Sequence, residues 1–284
     1  MAGITEVKAG NYTVRGISVA GVYTCLQIPE LGVVLDAGIP LRAFAGGDNF
    51  FLSHGHADHL GGLIGMLGIR GMMNKPELPR LFMPKAIQAD LNQALAHITK
   101  IQRYDLSVQG VGVEAGDEHV VAGSLLVRAF QTHHPVPSVG YQFFRRAKKL
   151  KAEFLHLEGA EIGRRRKAGE ALFDDEEQLE VAYATDTLLR VIDTSPSILR
   201  SKVLILECSF LDERKDLAAS QAGCHIHLDE LLERAGEFQN EHLVLMHFSQ
   251  IYKPAETHAI LKRRLPQQLW ERTRVFAPEH GSWF

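Results

Sequence analysis

The run Ser53-His54-Gly55-His56-Ala57-Asp58-His59 places four cation-binding side chains, His54, His56, Asp58 and His59, within six consecutive residues. If the apolar run 49–53 continues as an extended strand end to position 56, His54 and His56 project to one side, because side chains alternate along a strand. Asp58 and His59 then fall in the turn that opens the next helix. Imidazoles and a carboxylate converging on so small a volume suit zinc, which is held at about 2.0–2.2 Å. Manganese and iron accept the same ligand types. The plain alternative is a solvated, histidine-rich turn. The cluster's place between an apolar run and Gly61-Gly62 argues against that.

Four side chains do not fully ligate two cations, so further ligands must come from distant segments. His134 follows Gln131-Thr132-His133 and precedes Pro135 and the run 139–144. Asp186 closes the buried run 181–185, and His247 closes the run 243–246. A single histidine at a strand tip is commonly a structural residue. Three such tips, in a chain that already carries HxHxDH, read as a second ligand set. His133 and His134 would face opposite sides of a strand, so only one of them can enter the cage.

The elements that must position these residues show as short apolar runs. Strand-like runs occupy 12–20, 22–29, 32–36 and 49–53, with turn residues between them. Residues 60–67 read as the start of a buried helix, where Gly61 and Gly62 allow close approach of backbone to the site. Then come a short strand at 80–83, a helical pattern over 85–101, and strand-like runs at 118–132 and 139–144. The second half alternates again through 179–185, 202–210, 228–238, 242–248, 255–264 and 275–278. No internal sequence repeat is visible. Strands mixed with helices in both halves predict an α/β (α+β) chain, an αββα sandwich formed as one domain over 1–284. The charge-rich stretch 145–177 reads as an insertion projecting from it.

The bulk composition is ordinary for a globular protein with a substantial core. The 284 residues are 45% hydrophobic and 23% charged, with a formal net charge of −3 and 14 histidines. That charge excludes a general basic coat for nucleic acid but not a local basic surface. No apolar run is long enough to span a bilayer, and the first ten residues lack the pattern of a secretory signal. Cys25, Cys208 and Cys224 are odd in number and far apart. They predict no disulfide framework and a cytoplasmic setting.

Other motifs accompany the cluster. Gly16-Ile17-Ser18 and Thr24-Cys25 lie near the start, and His134 stands six residues before Gly140-Tyr141. Thr185-Asp186-Thr187, Leu206-Glu207-Cys208-Ser209-Phe210, Gly223-Cys224-His225-Ile226-His227 and His247-Phe248-Ser249 follow. With these, nearly the whole chain resembles the metallo-β-lactamase superfamily, and within it the short-form, plant-type tRNase Z (ribonuclease Z) enzymes. HxHxDH is specific for the superfamily, and the later motifs carry the nuclease inference. The resemblance implies one zinc on His54, His56 and His134, a second on Asp58, His59 and His247, and Asp186 bridging both. It selects His134 over His133. It implies removal of the 3′ trailer from precursor tRNA, with Asp58 as acceptor of the water's proton and His225 with Glu207 serving the leaving oxygen. Glu207 could instead be a buried hydrogen-bond anchor. His227 is the weaker candidate beside His225.

The resemblance also implies a homodimer and an RNA-gripping arm at residues 145–167. Arg145, Arg146, Lys148, Lys149 and Lys151 form one basic block there, and Arg164, Arg165, Arg166 and Lys167 a second. Interspersed Glu153, Glu158, Glu161 and Glu170 fit a solvated mixed-charge loop equally well. One departure concerns His247-Phe248-Ser249-Gln250-Ile251-Tyr252: Ile251 stands where the family carries arginine. The competing expectations are a small-molecule phosphodiesterase on the same cage and a non-catalytic binding module.

Overall fold

A computed structural model describes residues 3–75 and 77–283. The first half forms a seven-stranded sheet from β1 (Thr5–Ala9), β2 (Tyr12–Val19), β3 (Tyr23–Ile28), β4 (Val33–Leu35), β5 (Asn49–Phe51), β6 (Arg80–Pro84) and β7 (Gln109–Val113), in that spatial order. The second half forms another from β8 (Glu118–Ala122), β9 (Leu125–Gln131), β10 (Val139–Leu150), β11 (Phe173–Ala184), β12 (Val203–Glu207), β13 (His242–Met246) and β14 (Thr273–Val275), again in chain order. Both sheets begin with four antiparallel strands and end with four parallel ones that share the middle strand, β4 or β11. The chain thus repeats one topology twice without repeating a sequence.

Strand alternation divides the apolar residues between three cores. Phe51, Phe82, Val181, Tyr183, Val203, Ile205, Val244 and Met246 lie between the two sheets. Their neighbours Phe50, Leu52, Leu81 and Met83 face outward to α2 (Leu63–Met72) and α3 (Lys85–Gln102), which follow the short α1 (Ala57–Leu60). On the other sheet Ala182, Ala184, Leu204, Leu206, Leu243 and Leu245 face a second helical layer. That half carries α4 (Gly159–Lys167), α5 (Val191–Thr194), α6 (Leu217–Ala222), α7 (Leu228–Glu233), α8 (Pro254–Arg264) and α9 (Gln267–Trp270). Of these, α5, α7, α8 and α9 contribute to that outer core. The result is the expected αββα sandwich.

Several boundaries differ from the sequence reading. The strand β5 stops at Phe51, so His54 is not on a continuing strand but makes an isolated bridge to Ser138. His56 is the N-cap of α1, and Asp58 and His59 lie within that helix. Gly62 breaks it from α2: a Cβ there would sit 2.5–2.7 Å from the backbone of Ile39, which only glycine permits. The expected run 118–132 is two strands, split at Gly123, whose φ is +53°.

The stretch 145–177 is largely strand at its root. Here β10 runs on to Leu150 and β11 begins at Phe173, and residues 146–150 and 173–177 pair only with each other among the described residues. Cross-strand charges fix this register: Lys148 meets Asp175 at 2.7 Å and Lys149 meets Glu176 at 2.8 Å. The polar tip carries α4.

Candidate metal centre

The strand tips of both halves converge between the sheets. β11 ends two residues before Asp186, β12 ends on Glu207, and β13 ends immediately before His247. The ligand atoms of His54, His56, His134 and Asp186 all lie within 4.8 Å of one another, and so do those of Asp58, His59, Asp186 and His247. Asp186 belongs to both groups. All seven residues singled out in the sequence therefore stand together. Asp36, Asp186 and His247 take left-handed φ values of 56°, 45° and 60°, a conformation that costs a non-glycine residue on the order of 1–3 kcal/mol and concentrates at functional sites.

The donor set fits a cation. The Nε2 of His54 is buried with no hydrogen-bond partner among the described residues and faces Asp186 Oδ2 at 3.7 Å. A buried lone pair without a partner is costly, and a cation would satisfy it. Burial pushes the His54 imidazole down to about 2, helped by neighbouring histidines, and burial also lowers His134. Both rings are then neutral, the state that ligates metal. Burial opposes charge on Asp58 and Asp186 too. The neighbouring His247 and His59 nevertheless hold Asp58 below the usual carboxylate range, and the charges of His247 and His59 do the same for Asp186.

A buried carboxylate supports this cluster. Asp36 Oδ1 accepts from the Ser53 amide at 2.7 Å, while Oδ2 accepts from His59 Nδ1 at 2.8 Å and from the Tyr183 hydroxyl at 2.6 Å. The Ser53 hydroxyl lies 3.0 Å from His54 Nδ1. Asp36 thus fixes His59 from the first sheet and takes a bond from the second. The sequence reading did not single out Asp36, Ser53 or Tyr183. Asp36 carries the same strand-tip signal as Asp186, since it closes the run 32–36.

Beside the cluster, Glu207 is fully buried and accepts from the Thr187 amide at 2.7 Å and from His225 Nδ1 at 3.1 Å. Burial disfavours the charged ring of His225, but the adjacent Glu207 carboxylate outweighs it and raises the pKa to about 9. The rings of His225 and His247 stack at 5.6 Å.

The remaining histidines lie outside this arrangement. His133 points away, with Nε2 3.1 Å from the Thr194 hydroxyl, whereas His134 Nε2 is 3.1 Å from His56 Nδ1. His227 caps α7: its Nδ1 accepts from the Asp229 amide and its Nε2 bonds the Asp212 carbonyl. Ile251 is about half exposed. Its carbonyl accepts a 3.4 Å bond from Arg214, which stacks over Tyr252 and pairs with Asp212 and Glu256.

Comparison with known proteins places this geometry. Residues 36–248 match the family model for the beta-lactamase superfamily domain. A tRNase Z of Arabidopsis thaliana is 33% identical over 95% of this chain and 96% of its own length. A chloroplastic tRNase Z of the same plant is 34% identical over 90% of this chain and 73% of its own. The crystal structure of human short-form tRNase Z superposes with a TM-score of 0.59 at 15% identity, covering 98% of this chain and 96% of that one. The chain belongs to the metallo-β-lactamase superfamily and, within it, to the tRNase Z family.

Proposed function

We propose that the chain is a two-zinc phosphodiester hydrolase that cuts the 3′ trailer from precursor tRNA. The observation that carries this reading is the pair of ligand clusters sharing Asp186, set against the Glu207–His225 pair. His54, His56, His134 and Asp186 would hold one cation, and Asp58, His59, Asp186 and His247 the other. Bound there, such ions lower the pKa of water and neutralise phosphate charge. Asp58 takes one proton from the attacking water as the new oxygen–phosphorus bond forms. His225, charged beside Glu207, gives its proton to the ribose 3′ oxygen as the phosphorus–oxygen bond breaks. The tRNA leaves with a 3′ hydroxyl and the trailer keeps the phosphate.

The arm at 145–167 would hold the tRNA body, in a homodimer. Its first basic block is largely neutralised in cross-strand pairs, which favours a second reading as a small-molecule phosphodiesterase. Arg166, which lies over the Phe173 ring, and Lys167 stand in the last, basic turn of α4 with no ion pair among the described residues, and they would meet phosphate. No helix among the described residues is long and apolar enough to cross a membrane. A cytoplasmic site of action is part of this proposal, although one relative is named as chloroplastic.

The test measures zinc content and offers precursor tRNA and bis(p-nitrophenyl) phosphate side by side to the full chain and to a form with 151–172 replaced by a short turn. Two zinc ions, with precursor cleavage lost and ester turnover kept in the shortened form, are expected. Absence of bound metal would remove the hydrolase reading. Ester turnover without precursor cleavage by the full chain would favour the small-molecule reading.

A further inference from the structure

Ser209 lies two residues past the end of β12, fully buried, with its hydroxyl amid three functional groups. Its Oγ donates to Glu207 Oε2 at 2.6 Å and lies 3.2 Å from His247 Nδ1 and 3.4 Å from His225 Nδ1. A hydroxyl has one proton and two acceptor lone pairs. Its proton is committed to the carboxylate, so toward His247 it can only accept. His247 Nδ1 must then carry the ring proton and donate to Ser209. That leaves His247 Nε2, 3.2 Å from Asp186 Oδ1 and 3.9 Å from Asp58 Oδ2, with its lone pair toward the cage. On the far side, Glu207 Oε1 takes the Nδ1 proton of His225, so that ring presents Nε2 outward. One hydroxyl therefore joins a cage histidine to the proton-donating histidine through a single carboxylate.

We propose that Ser209 is a positioning residue that fixes the tautomer and orientation of His247 and, through Glu207, sets His225 in register with the cage. This rests on the reading of His225 as proton donor. Ser209 exchanges no net proton in the reaction. Removing its hydroxyl leaves His247 Nδ1–H and Glu207 Oε2 each short of a buried partner, which frees both rings to tilt.

The experiment compares metal-loaded Ser209→Ala, Ser209→Thr, Ser209→Cys and His225→Ala proteins on two substrates. Precursor tRNA expels an alkoxide that needs a proton, and bis(p-nitrophenyl) phosphate expels a phenolate that does not. For Ser209→Ala, kcat on precursor tRNA should fall about tenfold with KM little changed, a fraction of what a general acid contributes. Turnover of the activated ester should fall by less than about threefold, with both metals retained. Ser209→Thr keeps the hydroxyl and should restore most of the loss. Ser209→Cys keeps the volume with weaker hydrogen bonds, and it gives the same split should the alanine variant not fold. The ¹⁵N spectrum of the histidine rings, recorded on the metal-free proteins, should show a single His247 tautomer in the unsubstituted protein and a mixture in Ser209→Ala. Equal loss on both substrates, loss of metal, or an unchanged ring spectrum would overturn the role of Ser209. Should His225→Ala itself lack the substrate split, the reading of His225 fails instead. The ring spectrum then still decides whether Ser209 orients His247.

Discussion

Asp36 gathers donors from three segments of chain: the amide and hydroxyl of Ser53, the ring of His59, and the hydroxyl of Tyr183, 147 positions away in sequence. An asparagine would put a donating amine where a lone pair is needed, and His59 would lose its fixed ring orientation. Asp36→Asn should weaken metal affinity about 10–100-fold, as loss of a supporting hydrogen bond to a ligand does. Competition titration against a chelator measures this, and an unchanged affinity would refute the role. At this scale the seven candidate ligands were legible because four share the HxHxDH run and His134, Asp186 and His247 are ligand-type side chains near the ends of apolar runs, with the resemblance choosing His134 over His133. Ser53, Tyr183 and Ser209 were not. A hydroxyl declares itself only through the partner that reaches it, and those partners arrive from other strands.

The strands of the second sheet show what sequence pattern can and cannot carry. Alternation marked the apolar cores of β10 and β11 but not their outer ends, where charge falls on both faces. At the base of the β10–β11 extension Glu118 and Glu177 share Arg128 and Arg146, with Glu177 2.7 Å from Arg128 and Glu118 2.6 Å from Arg146. Arg128 and Arg146 also lie over the Phe144 ring. Burial opposes the charge of Glu118, but the combined pull of its two arginines holds it below the ordinary glutamate value; Arg128 does the same for Glu177. A carboxylate lowered in the fold contributes stability above its unfolded pKa of about 4.3, and that contribution is lost as pH falls through the folded value. Amide exchange in 146–150 and 173–177 should therefore accelerate below about pH 4, while the inter-sheet core stays protected. Uniform exchange across both regions would contradict this. The strands β1 and β7 escaped the sequence reading because they lie at sheet edges and are short and part-polar, with half-exposed side chains.

The described chain is two copies of one topology, and its candidate metal centre lies where their strand tips meet. Asp36 and Asp186 follow corresponding strands, β4 and β11, and both adopt left-handed backbone. The αββα architecture was legible because strand and helix runs alternate in both halves. The duplication was not, since hydrogen-bond order between strands leaves no mark in composition. Each proposed cation site takes ligands from both sheets, so removing metal removes a tie between them. Chelation should lower the melting temperature by about 10 °C, from the mass-action gain of a ligand bound far above its dissociation constant. Calorimetry with and without chelator checks this, and coincident transitions would contradict it.

The division of ligands between the halves also sets a timetable for a chain still being translated. His54, His56, Asp58 and His59 emerge early and stay uncommitted until His134 and Asp186 follow them. The first proposed site is complete at position 186 and the second only at position 247 of 284. A product that stopped before Asp186 would lack the ligand that both proposed sites share.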